Sequence, residues 1–190
     1  TAKRQRLYKG TRWQAQASLR QRICLASDSG KARVLTVHAL PEGQPGDATP
    51  VTDGSGGKAM PAAIALLPPD ADDHSLLLAT AQGKVKRVAL DGIGEDWTTV
   101  CRLDDGDRVT AALVVQESDN VMLVSSAGDA VAFAVAEVRQ SGLPAGCIAG
   151  MRLGEGAEVV AACVFAGPHL AVLSAAGLLK RVSLKGWHVQ

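Results

Sequence analysis

One fifteen-residue pattern occurs four times in the chain, and it constrains the fold more than any single residue does. The copies are Ile23–Val37 (ICLASDSGKARVLTV), Leu76–Leu90 (LLLATAQGKVKRVAL), Val121–Val135 (VMLVSSAGDAVAFAV) and Leu170–Leu184 (LAVLSAAGLLKRVSL). Each is an apolar run, a hydroxyl, two small or polar residues, a glycine, and a second run with apolar alternation. The glycines Gly30, Gly83, Gly128 and Gly177 are 53, 45 and 49 residues apart, a period that marks a repeat architecture. Alternation such as Leu76/Leu78 before the turn and Val88/Leu90 after it predicts a β-hairpin with one buried face. Ser27, Thr80, Ser125 and Ser174 stand three positions before the glycines. A hydroxyl there can bond the turn backbone, while glycine supplies the positive φ of a short hairpin.

The flanks repeat as well. Cys101-Arg-Leu-Asp-Asp-Gly-Asp-Arg-Val109 matches Met151-Arg-Leu-Gly-Glu-Gly-Ala-Glu-Val159, and each precedes an apolar segment, Thr110–Val115 and Val160–Phe165, with a weaker partner in Pro61–Leu66. These predict a strand of A-A-x-V type and another ending at Arg102-Leu103 or Arg152-Leu153. Four short strands in 45–50 residues describe a propeller blade, and no segment carries the 3.6-residue period of a helical solenoid. The expected fold is all-β, about four repeated four-stranded blades in an open or incomplete ring. The units run about 23–58, 59–108, 109–158 and 159–190, behind a basic segment or linker at 1–22. Residues 41–58, with three prolines and five glycines, are expected to form a mobile surface loop. The first residue, Thr1, suggests a piece of a longer protein.

Charge is distributed unevenly. Residues 1–35 carry nine basic side chains against Asp28, a balance of +8, and the rest carry eleven basic and eighteen acidic, a balance of −7. The basic end suits either a polyanion or a solvated linker. Cys24, Cys101, Cys147 and Cys163 form no C-x-x-C pair, and all four are expected to be reduced structural thiols in a cytosolic setting. The four histidines lack ligand spacing, and the acidic run Asp104, Asp105, Asp107 has no counterpart in the next repeat, so neither metal nor cofactor is expected. No run reaches the roughly 20 apolar residues that span a bilayer.

Residues 121–160 resemble a blade of the C-terminal domain of the A-type polypeptide of bacterial type IIA topoisomerases, DNA gyrase and topoisomerase IV. The likeness rests on the glycine hairpin, Glu137-Val138-Arg139-x-x-Gly142 and Gly150-Met151-Arg152-Leu153-x-Glu155-Gly156 in the family's order, and extends over about residues 23–190. The resemblance implies a β-pinwheel: a disc of strand-swapping blades that holds duplex DNA on a basic outer rim by backbone contacts, without sequence preference. Its implied partners are the other domains of the A-type polypeptide, together with the ATPase subunit of the holoenzyme. The implied location is cytoplasmic and nucleoid-associated, and no catalysis is implied for the domain alone. Tyr8, in Arg-Leu-Tyr-Lys-Gly, lacks the arginine-tyrosine setting of the cleaving residue. The glycine-rich basic heptapeptide of gyrase is not found in these residues, and Gly142-Leu143-Pro144-Ala145-Gly146 lacks the arginine that often follows the first glycine.

Taken with the hairpin alternation, the resemblance marks Lys31, Arg33, Lys84, Lys86, Arg87, Lys180 and Arg181 as DNA-contacting residues. Arg87 and Arg181 are expected on the outer face, beside small Ala89 and Ser183, in a curved basic track. Arg102, Arg108 and Arg152, close to acidic turns, are expected to matter less. The rival reading is a propeller serving as a protein-interaction platform, favoured by the −7 balance of residues 36–190. An enzyme with a channel site ranks last, because no His, Cys or acidic cluster converges.

Overall fold

A computed structural model describes residues 13, 15–42, 52–54, 60–187 and 189. Most of the 41–58 loop and of the 1–22 segment, including Tyr8, lies outside the described residues. Among these residues there are thirteen strands, three one-turn 3-10 helices and no α-helix. The four sequence repeats are the hairpins β1–β2 (Arg22–Ser27, Lys31–Thr36), β4–β5 (Ser75–Thr80, Lys84–Ala89), β8–β9 (Asn120–Ser125, Ala130–Ala134) and β12–β13 (His169–Leu173, Leu179–Ser183). The A-A-x-V segments are β3 (Pro61–Leu66), β7 (Val109–Val115) and β11 (Val159–Val164). Two short strands complete the set, β6 (Thr98–Thr99) and β10 (Ile148–Ala149). They stop three residues before the Arg-Leu positions where the sequence pattern placed their ends.

The sheets are not contiguous stretches of chain. The first has the order β3-β1-β2-β6 and the second β10-β5-β4-β7. Each therefore borrows its edge strand from beyond the following hairpin: Lys31 pairs with Thr99, and Lys84 with Ala149. The third sheet is β11-β8-β9 and the fourth is the β12–β13 hairpin. Strands β3, β7 and β11 of successive sheets pack against one another. Being at the opposite edge, β6 and β10 lie where the sheets diverge, on the outer rim.

Apolar alternation builds the stack. Leu76 and Leu78 pack with Cys24, Ala26 and Val34 of the first sheet, whereas Leu77 and Ala79 pack with Val121, Leu123 and Phe133 of the third. Met122 and Ala132 then pack with Leu170 and Leu184 of the fourth hairpin. Strand β4 is consequently buried at all six positions, and each buried leucine contributes about 1.5–3 kcal/mol relative to an exposed one. The half-buried strand expected from alternation is thus buried on both faces. On the fourth sheet, the face turned away from the third leaves Leu173 and Leu179 exposed, so the sheets form an arc.

Two of the four thiols depart from expectation. Cys101 and Cys147 are joined as a disulfide across Cα atoms 6.3 Å apart, within the usual reach of the bond. Edge-strand borrowing brings them together: Cys101 follows β6 and Cys147 precedes β10, and the backbone links Arg102 to Gly146 between them. Cys24 and Cys163 are free. Burial pushes the Cys24 thiol up to about 12 and that of Cys163 in the same direction.

Candidate nucleic-acid interface

The hairpin turns set out the basic residues that follow them. In all four copies the hydroxyl accepts the amide four residues on: Ser27 from Lys31 at 3.2 Å, Thr80 from Lys84 at 3.2 Å, Ser125 from Asp129 at 3.2 Å and Ser174 from Leu178 at 3.0 Å. The glycines take φ values of 81°, 81°, 92° and 78°. At two of them glycine has a second role. A Cβ on Gly30 would run into the carbonyl oxygen of Cys101, and one on Gly83 into that of Met151. The Gly30 oxygen accepts the amides of Val100 and Cys101, and the Gly83 oxygen those of Gly150 and Met151, all at 2.8–3.0 Å. The turn is thus the seat of the borrowed strand. Beside Gly128 and Gly177 the space is open.

The seven sequence-marked residues do not form one track. Lys31 is half-buried and donates to the Asp53 carbonyl at 2.8 Å. Arg33 is also half-buried, with its guanidinium 5.7 Å from the centre of the Trp97 ring. Lys84 pairs with Asp104. Lys180 and Arg181 are exposed.

Lys86 and Arg87 are the correction. They are 2% and 7% exposed, and Arg87 does not stand on an outer face. Lys86 Nζ donates to the carbonyls of Gly142 and Ala145 at 3.1 and 2.5 Å. Arg87 donates from Nε to Ser75 Oγ at 3.2 Å and from a terminal nitrogen to the Val135 carbonyl at 3.3 Å, with the Glu117 carboxylate 3.7 Å away. Burial, and then the Arg102 charge, pull the Lys86 ammonium below its ordinary range. The reason is architectural. An interior sheet is covered on both faces, so the polar side of β5 meets the next unit rather than water.

The exposed rim carries arginines outside the seven marked residues. Arg102 follows β6, Arg152 follows β10, and Arg139 lies in the segment between β9 and β10; all three are exposed. Among the described residues no ion pair holds them, whereas Arg108 is engaged by Glu158 at 2.5 Å. The fifty-residue recurrence of Arg-Leu was the available signal, discounted because acidic turns adjoin it. Among the described residues no three His, Cys, Asp or Glu side chains form a metal site, and no helix is long and apolar enough to cross a membrane.

The family model described as DNA gyrase C-terminal domain, beta-propeller, matches residues 74–95 and 98–116. Those residues take in β4, β5, β6 and β7: a hairpin, the strand lent to its predecessor, and its own inner strand. The chain is a relative of the DNA gyrase A C-terminal domain. DNA gyrase A of Borrelia hermsii is 33% identical over 116 residues, which is 59% of this chain and 14% of the relative. That of Escherichia coli is 29% identical over 165 residues, 78% of this chain and 18% of the relative. The chain thus spans less than a fifth of these curated relatives. Two solved structures share the fold: the C-terminal domain of DNA topoisomerase IV (TM-score 0.74, 20% identity, 90% of this chain and 56% of that one) and the DNA gyrase A C-terminal domain (TM-score 0.73, 24% identity, 89% and 56%). The expected β-pinwheel is the observed architecture, including its borrowed edge strands.

Proposed function

We propose that this gyrase-type repeat is a non-catalytic module that holds duplex DNA along its outer rim within the gyrase A-type polypeptide of a type IIA topoisomerase. The observation that carries the reading is the recurrence of exposed arginines at the diverging edge. Arg102 and Arg152 occupy equivalent places after β6 and β10, Arg139 lies in the intervening segment, and no carboxylate neutralises them among the described residues. Phosphate contact requires charge at a regular spacing and no base-reading groups. Lys31 and Lys84, at the start of β2 and β5, lie beside the rim strands but are engaged within the fold, Lys31 by the Asp53 carbonyl and Lys84 by Asp104, so neither carries the reading. Lys86 and Arg87 are left out, because their donors are used within the fold. The remaining domains of the A-type polypeptide, the ATPase partner of the holoenzyme and a nucleoid-associated cytoplasmic location belong to the same proposal, supported by relatives that are gyrase proteins.

Gel shifts on unrelated duplexes test it. Binding should show no sequence preference, with dissociation constants of about 10⁻⁴–10⁻⁶ M near physiological salt. Arg102→Glu, Arg139→Glu and Arg152→Glu together should reduce the slope of log K against log salt by about 2.7, since each lost phosphate contact removes about 0.9. Arg108→Glu should leave the slope unchanged. Equal affinity of the triple variant and the parent would rule the rim out, and indifference to DNA would favour the protein-interaction platform.

A further inference from the structure

The bond between Cys101 and Cys147 sits where the rim of the first sheet meets the segment, residues 135–147, that wraps the edge of the second. Cys101 is fixed: its amide donates to the Gly30 carbonyl at 3.0 Å, and it is 1% exposed. Cys147 is only half-buried, at the end of a turn whose residues Gly142, Pro144 and Gly146 are exposed. Besides the disulfide, three contacts hold this turn. The Ala145 carbonyl accepts the Arg102 amide at 3.3 Å, the Lys86 ammonium reaches the carbonyls of Gly142 and Ala145, and Leu143 packs on the core. In the following unit the place of Cys101 is taken by Met151, so the repeat itself does not require a cysteine there.

The surroundings of the bond are cationic. Gly146 and Ile148, on either side of Cys147, line a rim cavity of about 340 Å³ together with Lys86 and Arg139, and no carboxylate lines it. The Arg102 charge is close enough to act on the Lys86 ammonium. Such a setting draws a thiolate toward a disulfide, and a negatively charged thiol more strongly than a neutral one. Access then directs the attack to Cys147, because Cys101 is enclosed.

We propose that Cys101–Cys147 is a thiol-exchange site, taking a small anionic thiol, that sets whether the 142–147 turn is clasped to the rim. The thiolate attacks Cys147 Sγ and forms a mixed disulfide there, while the bond to Cys101 breaks and Cys101 leaves with its electron pair. A second thiolate attacks the small-molecule sulfur, which releases the oxidised small molecule and frees Cys147. The protons given up by the two small thiols end on the two cysteines, so two thiols are oxidised and one protein disulfide is reduced. Once open, the turn keeps only its contacts through Lys86, Leu143 and the Arg102 amide, and Arg102 and Arg139 lose their fixed spacing. The consequence for DNA rests on the rim proposed above. In the cytoplasmic location that goes with it, disulfides are as a rule transient or redox-sensing rather than permanent.

The full chain, with the bond formed, is treated with mercaptopropionate, mercaptoethanol and cysteamine at matched thiolate concentration. Opening, followed by mass spectrometry of trapped thiols, should be several-fold faster with the anionic thiol than with the neutral one and slowest with the cationic one. High salt should narrow the gap, and the first adduct should be on Cys147. Hydrogen exchange at the Arg102 amide should rise about tenfold on opening, and C101S/C147S should match the opened parent in every redox buffer. The slope of log K for DNA against log salt should fall by about 0.9–1.8 on opening, the loss of one or two phosphate contacts. Equal rates with the three thiols, a first adduct on Cys101, or unchanged exchange at Arg102 would overturn the proposal. So would a bond that fails to form under oxidation, or an unchanged slope in a chain that binds DNA. Faster exchange at Arg102 with no DNA binding in either state would uphold the thiol-exchange clasp and sink the rim reading instead.

Discussion

The second and fourth hairpins have nearly the same sequence pattern and opposite surroundings. In LLLATAQGKVKRVAL the Lys-Arg pair and both apolar faces are enclosed; in LAVLSAAGLLKRVSL the same pair is in solvent, and β12 and β13 are exposed or half-exposed throughout. Hydroxyl, glycine and ladder register are shared, so the hairpin is a local product of its sequence. Burial comes from the neighbours in the stack. In a repeat of this type, a charge on a strand is a structural tie or a surface group according to what lies beside it.

Perturbing the two hairpins separately tests whether their neighbours make the difference. The largest effect belongs to the disulfide, which ties the edge of the first sheet to the segment wrapping the second. Closing a 46-residue separation stabilises by about 4 kcal/mol in the chain-entropy model. Reduction should therefore lower the melting temperature, and hydrogen exchange should rise in β5 and β6 with no change in β12 and β13. Uniform loosening of all four hairpins would mean that the second is not held apart from the fourth by its seams.

Next comes the turn glycine. Gly83→Ala meets both the positive φ and the Met151 carbonyl, for about 3 kcal/mol or more. Gly177→Ala meets only the φ, about 1–2 kcal/mol. Denaturant midpoints measured side by side would check the gap, and equal losses would show that the borrowed strand does not press on Gly83.

Lys86→Met removes a charged donor from two carbonyls and should cost about 1.5–3 kcal/mol, whereas Lys180→Met should change stability by less than about 0.5 kcal/mol. The smallest effect is in pH. Lys86 in the folded chain holds its proton less tightly than in the unfolded chain, where the value is about 10.4. Between the depressed folded value and that one the unfolded state binds more protons, so the Lys86 contribution to stability rises with pH. The difference between the parent and Lys86→Met should change over that alkaline interval, with the parent gaining.

Much of the architecture was legible because it is written locally. The hydroxyl–glycine turns, the hairpins and the A-A-x-V strands depend on residues a few positions apart, and each was found where the repeat placed it. The borrowed strands were less legible. Thr98-Thr99 and Ile148-Ala149 carry almost no pattern of their own and become strands only against β2 and β5. The same non-local contacts hid the Cys101–Cys147 bond. They also misled the choice of rim residues: alternation identifies the polar side of β5 but not what covers it, and the unbroken run Ser75–Thr80 was the hint that both sides are enclosed. Arg102 and Arg152 were visible as a repeat; their exposure at the edge of the sheets was not, because it depends on where β6 and β10 pair.

Edge-strand borrowing also sets a schedule for synthesis. Lys31 finds its partner only when Thr99 has emerged, and Lys84 only when Ala149 has. At about 5–20 residues per second, each sheet waits several seconds in a three-stranded form before its rim is sealed. During that interval the sheet presents an open edge to any other nascent chain nearby, a hazard that the quickly formed hairpins alone do not remove. The rim is thus the last part of each of these two sheets to form, and the part for which the order of emergence from the ribosome matters most.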